Sequence, residues 1–376
     1  MKVSQSIWTS IGGWPEPDKE INPQLVLVFG GIDQIGDGSV YQRLKTCYPL
    51  ADVVLASTAG EIHSNQVSDG TIVATLIEFE HTKTKAISVD VTAHPSSYAC
   101  GVELSQKLNL PDLKHVLIIS DGTRVNGDEL VAGINESIAP NVLVTGGLAA
   151  DSGRFESTLT GLNELPKAGK IVAVGFYGDK IRIGHGSQGG WDIFGPVRTV
   201  TASEGNKLLE LDGNSALELY KKYLGERASQ LPGSALLFPL CILGVDGSQL
   251  VRTILSINEE EGAMIFAGDI PIGAKVQFMM ANFDRLVDGA SIAAEESHVK
   301  LNNVPPDLVL MISCVGRKIV LDQRVEEEVE SVVDVFGEKA VYCGFYSNGE
   351  ISPLSNSVDC SLHNQTMTIT TYSELK

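Results

Sequence analysis

The sequence predicts a mixed α/β protein of the α+β type, with two domains whose mixed β-sheets are flanked by helices. Three observations carry that expectation. Apolar runs of strand length alternate with stretches whose apolar residues recur at helical spacing. One supersecondary pattern (strand, glycine turn, helix, strand, then an acidic turn containing glycine) comes round three times. The chain also has 376 residues with 43% hydrophobic content, enough for two packed cores at ~100–200 residues per domain.

Taken in order, residues 1–24 read as an N-terminal extension before the first strand, LVLVFG (25–30). Strands VVLAST (53–58) and TIVATLIEF (71–79) follow, then helical spacing over Ser96–Leu108, strand HVLIIS (115–120), helical spacing over Gly127–Ile138, and strands NVLVTG (141–146) and KIVAVGFYG (170–178). Gly178-Asp179 joins the last of these to 180–187, so the pair reads as an antiparallel hairpin. A domain junction is expected near Asp212–Gly213, dividing the chain into 25–213 and 214–376. The second part holds helical segments at Ser215–Leu224, Asp284–Ser297 and Val325–Phe336, among strands ALLFPLCIL (235–243), LVRTILSI (250–257), AKVQFMMA (274–281), DLVLMIS (307–313), KAVYCGFY (339–346) and TMTITTY (366–372). The three closing turns fall at 57–61, 146–151 and 344–350. Loops at strand carboxyl ends line the crevices where α/β proteins hold ligands, so these three are candidates to converge on one pocket.

Charge and motifs narrow the function. With 28 Lys plus Arg against 47 Asp plus Glu, the formal charge is −19, which argues against nucleic acid and against anionic membrane surfaces as partners. No secretory signal stands at the amino terminus, and the most apolar stretch, Leu236–Val245, has about half the length a spanning helix needs; a cytoplasmic protein is expected. The six cysteines form no CxxC pair, which fits reduced thiols better than zinc or disulfides. Glycines 184, 186 and 189 spell GxGxxG, yet the chain continues into Gly190-Trp191-Asp192-Ile193-Phe194-Gly195-Pro196 rather than into the helix a dinucleotide site requires. P-loop, nucleophile-elbow and zinc-protease motifs are absent from the sequence.

Two groups of residues remain as candidates. His63, just past the first closing turn, and His185, in the glycine-rich segment, can each approach a pocket; His363 stands in the polar turn His-Asn-Gln before the final strand. Cys314 and Arg317 end the apolar strand 307–313, where a planar cation suits a carboxylate through paired hydrogen bonds; the alternative there is an ion pair with Glu350 or another acid. The run Glu326–Glu328 reads as a solvated helix face.

The segments STAGE (57–61), DGTRVNGDELVAGI (121–134), GGLAAD (146–151), GGWDIFGP (189–196) and TVTASEGNKLLELDGNSALELY (199–220) resemble the amino-terminal FIST domain. Those at 250–279, SCVGR (313–317), GFYSNGEISP (344–353) and LHNQTMTI (362–369) resemble the carboxyl-terminal FIST domain. The resemblance implies an intracellular sensor that binds a small ligand, an amino acid or related metabolite, and passes its occupancy to a separate signalling protein such as a histidine kinase or cyclic-di-nucleotide enzyme. One branch of the family binds haem and reports nitric oxide; for it, His63 and His185 are the candidate axial ligands. For a carboxylate-bearing ligand the matched motifs suggest Arg317 on the carboxylate, Glu350 on an amino group, Tyr346, His363 and Asn364 as directional hydrogen-bonding groups, and Phe345 as an apolar wall. The rival expectations are an enzyme using Cys314 as nucleophile or Glu350 as base, and a protein-interaction scaffold.

Overall fold

The computed structural model describes residues 1–231, 233–245, 247–353 and 359–375. One sheet plan is used three times. The first repeat runs β1 (Lys2–Trp8), β2 (Leu25–Gly31), α1 (Ile32–Ile35), α2 (Ser39–Cys47), β3 (Asp52–Thr58), the hairpin β4 (Glu61–His63) and β5 (Gln66–Ser68), and β6 (Ile72–Glu78). The second runs β7 (Lys83–Asp90), α3 (Ser97–Leu108), β8 (Leu113–Ser120), α4 (Gly127–Ser137), β9 (Leu143–Leu148), β10 (Thr160–Leu162) and β11 (Lys170–Tyr177). The third opens with β12 (Ile181–Gln188) and is then interrupted by an insertion, residues 192–280. The insertion holds β13 (Asp192–Glu204), β14 (Lys207–Leu211), β15 (Asn214–Ser215), α5 (Ala216–Leu224), β16 (Leu240–Leu243), β17 (Gln249–Arg252), β18 (Ile254–Asn258), β19 (Ala263–Phe266) and β20 (Lys275–Met280). The repeat resumes with α6 (Phe283–Lys300), β21 (Leu308–Cys314), α7 (Val315–Leu321), α8 (Val325–Phe336), β22 (Val341–Ser347), β23 (Gly349–Pro353), β24 (Cys360–His363) and β25 (Met367–Glu374).

The three sheets have matching orders: β1-β6-β2-β3-β10, β7-β11-β8-β9-β23-β24 and β12-β25-β21-β22-β4-β5. In each, a parallel central pair (β2/β3, β8/β9, β21/β22) is flanked by antiparallel neighbours, and the far edge is completed by strands lent from another repeat. The inner faces share one core, to which Phe29, Leu117, Val174, Ile312 and Phe345 contribute. Outer faces are covered by helices: α2 through Leu44, α3 and α4 through Leu104 and Ile134, α6 and α8 through Ala293 and Val332. Because β2 and β21 are buried along both faces, their sequences are unbroken apolar runs rather than alternating ones. Helices α3, α4, α5 and α6 each begin at a Ser or Asn whose side chain accepts a first-turn N–H, the orphan donor that such caps satisfy.

The fold is mixed α+β, but several expectations about its parts need correction. Strands 170–178 and 180–187 form no hairpin: both edges of β11 are taken, by β7 and β8, and β12 pairs with β25 in a different sheet. Residues 1–24 are no mere extension, since β1 zips along β6 from Lys2↔Glu78 to Trp8↔Ile72. The Asp212–Gly213 junction falls in the β14–β15 turn inside the insertion, where Leu211 pairs with Asn214; the stretches 25–213 and 214–376 interleave in space. ALLFPLCIL becomes a strand only from Leu240, its first part being a 3₁₀ turn at Gly233–Leu237.

The GxGxxG glycines have a packing role. A Cβ on Gly184 or Gly186 would lie 2.1 Å from the Ser297 carbonyl oxygen or 2.0 Å from that of Ala293. Their lack of a side chain lets α6 lie directly on β12.

Candidate functional site

The three closing turns do meet. Equivalent hydrogen bonds close a ring: Ala59 N to Tyr346 O (2.9 Å), Asn348 N to Leu148 O (3.1 Å) and Ala150 N to Ser57 O (2.9 Å). Two of the turns hold a buried glutamate in the same manner. Glu61 accepts from the Thr58 hydroxyl and from the N and Oγ1 of Thr71 (2.9 and 2.7 Å). Glu350 accepts from Ser347 Oγ (2.6 Å) and from the N and Oγ1 of Thr366 (3.2 and 2.9 Å). Burial outweighs these bonds, which favour the charged form, and pushes Glu350 up to about 8; Glu61 is raised for the same reason.

Beneath the third turn lies a buried charged core that the sequence reading misassigned. Arg317 is fully buried, and all five of its N–H groups have acceptors. Nε donates to Glu328 Oε2 at 3.0 Å, Nη2 to the same oxygen at 2.8 Å and to Leu286 O at 2.7 Å, and Nη1 to the carbonyls of Gly189 and Gln365. No donor is left for a ligand carboxylate. Glu328, expected on a solvated face, is fully buried and also accepts from Ser313 Oγ (3.0 Å) and the Tyr346 hydroxyl (2.6 Å). Tyr346 is therefore committed internally as well. Phe345 sits in the central core against Phe29, ring centroids 4.6 Å apart, and walls no pocket. Cys314 is 3% exposed and burial drives its thiol pKa far up, the opposite of what a nucleophile needs.

The largest cavity described, about 640 Å³, opens immediately above this core. Its walls come from the end of β12, the helix α6, the insertion and the turn between β24 and β25, and they include Gln188, Trp191, Arg285, Asp288, His363 and Thr366. Trp191 Nε1 donates to Gln365 O at 2.8 Å, and the same carbonyl faces Arg317, so the arginine positions the cavity floor without entering it. His363 Nε2 donates to Ser352 O at 3.0 Å, and burial lowers its pKa to about 4, leaving the ring neutral. Behind it, Asn364 and Gln365 are fully buried, and their side-chain amides have no partner among the described residues. Of the sequence candidates, His363 reaches this cavity directly and Glu350 stands one residue behind it, through Thr366. The sequence reading missed Gln188, Arg285 and Asp288. Trp191 lay in a segment quoted only for its breakers; the spacing of Arg285 and Asp288, one turn apart on a predicted helix, was the available signal.

His63 and His185 stand on opposite edge regions of one sheet, on β4 and β12. His63 Nε2 bonds Ser68 Oγ at 3.0 Å. His185 faces the Lys300 ammonium at 3.1 Å, and burial together with that cation lowers its pKa to about 3. Neither lines a cavity described here. A cation beside one imidazole and no apolar slot at either do not fit a haem site.

This architecture belongs to a class of sensory proteins. Family models for the FIST N domain and the FIST C domain match residues 24–214 and 216–353, and the chain belongs to the FIST family, whose domains bind small ligands in signalling proteins. No curated protein matches the chain. Among solved structures it is similar to a chorismatase crystal structure over 98% of both chains, at 10% identity and a TM-score of 0.37, a likeness too low to carry a functional argument. No described helix is long and apolar enough to cross a membrane.

Proposed function

We propose that the protein is an intracellular sensor whose ligand, an amino acid or a closely related zwitterionic metabolite, binds in the cavity above Arg317. The carrying observation is the pairing of opposite charges on one wall: Arg285 and Asp288, three residues apart on α6, face the same space as the neutral His363, Thr366 and the Trp191 ring. Arg285 receives the carboxylate, which replaces part of its 2.6 Å contact with Asp192; Asp288 receives the ammonium group. The cavity lies between the insertion and the three-sheet core, a preferred kind of place for a ligand. Occupancy there favours one seating of the insertion over another, and a separate signalling protein reads the difference. The burial of Cys314 supports a binder over a thiol enzyme.

Melting temperature and calorimetric heat, measured against the protein amino acids, test this. At least one should bind saturably, with affinity reduced roughly tenfold in Asp288→Ala through loss of a charge-assisted bond. If none shifts the melting temperature or gives heat, the reading fails.

A further inference from the structure

A second cavity, about 440 Å³, lies on the other side of the insertion, between it and the loop joining β8 to α4. Arg124, Asn348, Phe155, Phe266 and Asp269 are among its walls. The threefold repeat explains why its polar groups are unusual. At the seam between β22 and the β4–β5 hairpin, the segment after β21 sends Lys318 across to the hairpin, where Nζ donates to Ala59 O at 2.8 Å and pairs with Asp69. The corresponding segment after β8 carries Arg124, at the seam between β9 and the β23–β24 hairpin. Glu61 and Glu350 are held alike, so the positions matching Ala59 and Asp69 are Asn348 and Asn364. The acid that neutralises Lys318 has become an amide. Among the described residues no carboxylate pairs with the Arg124 guanidinium, and the side-chain amides of Asn348 and Asn364 are buried without partners. Asn348 Nδ2 lies beside Gly122, 3.1 Å from where a Cβ on that residue would stand, so it sits at the closed end of the cavity.

A cation without its counter-ion, next to an unpaired amide and two aromatic rings, is a receptor for an anion on an apolar body. We propose that this cavity is a second ligand site, independent of the one above Arg317, and that it takes an aromatic carboxylate. Arg124 pairs the carboxylate, the Asn348 amide donates a hydrogen bond to it, and Phe155 and Phe266 flank the ring. The acid on the wall, Asp269, is raised toward neutrality by burial and by neighbouring Asp128, which weakens its repulsion of an incoming anion. Arg124 is exposed on its outer side, so replacing it leaves the fold intact.

Calorimetric titration of the full chain with benzoate, phenylacetate and indole-3-acetate tests the proposal, using benzyl alcohol as the uncharged control. The expected result is saturable binding of at least one carboxylate, no binding of the alcohol, and affinity reduced roughly tenfold or more in both Arg124→Ala and Asn348→Asp. Arg285→Ala, in the first cavity, should bind like the parent, which separates this site from the amino-acid site. Absence of saturable heat with all three acids overturns the proposal. So does equal affinity in Arg124→Ala, or loss in Arg285→Ala with retention in Arg124→Ala.

Discussion

Every N–H of Arg317 is bonded within the chain, so its removal is a stability event before it is a binding event. Arg317→Ala leaves Glu328 buried without its cation, and breaking such a pair costs about 3–5 kcal/mol. Urea unfolding should show that loss; a variant with parental stability but weakened ligand binding would return Arg317 to the site. Glu350 gives a pH signature. Its carboxyl stands near 8 in the folded chain against 4.5 for an ordinary glutamate. Between those values the unfolded chain has released a proton that the folded chain keeps, so stability falls as pH rises through this window. Glu350→Gln should flatten the fall in melting temperature between pH 4.5 and about 8; an unchanged slope would assign the dependence elsewhere. At this scale the sequence was a partial guide. It marked Glu350 and His363, because acidic and polar residues in glycine turns at strand ends announce themselves. It misread Arg317, Tyr346 and Glu328, because the partner that consumes an arginine is supplied by a helix folded over it, and charge spacing along that helix looked solvated.

Two devices act between elements. The glycines of β12 allow α6 to seat at backbone distance, so Gly186→Ala must push the helix away and should cost about 1–3 kcal/mol by overpacking, read as a drop in melting temperature; no drop would mean that α6 shifts freely. The insertion is pinned to the core by Arg252, which donates to Asp128 Oδ1 on α4 (2.8 Å), to Leu362 O (2.8 Å) and to Asp269 O (3.3 Å). This pin runs between the two cavities. Arg252→Ala should raise hydrogen exchange across 192–280 while leaving β8 and β21 protected; uniform exchange in both regions would show that the insertion does not move as a unit. Strand positions were largely legible as apolar runs, since buried central strands tolerate little else. Pairing was not: Gly178-Asp179 is good turn chemistry, but a turn also serves to pass the chain from one sheet to the next.

For the molecule as a whole, the three echoed turns pointed to the repeat, and the repeat is the architecture. The insertion was invisible as such because its strands have the same composition as those of the core. Asp192 and Met280 are paired partners at its base, so the two ends of the insertion lie side by side. Replacing 193–279 with a short glycine turn should leave a three-sheet core that melts cooperatively; a non-cooperative, aggregating product would show that the insertion completes the core rather than decorating it.

The lending of edge strands between repeats also dictates an order of events at the ribosome. The hairpin at 61–68 belongs beside β22, residues 341–347, so it leaves the exit tunnel long before the edge it will cover. Until then the first repeat carries an unpaired hairpin, and the third sheet, last to be made, waits for a segment synthesised near the start. Contacts of such sequence separation make folding slow, and exposed edges are templates for pairing with other chains. Nascent chains of this protein should therefore depend on chaperones until close to the end of translation, when residues 341–347 close the ring.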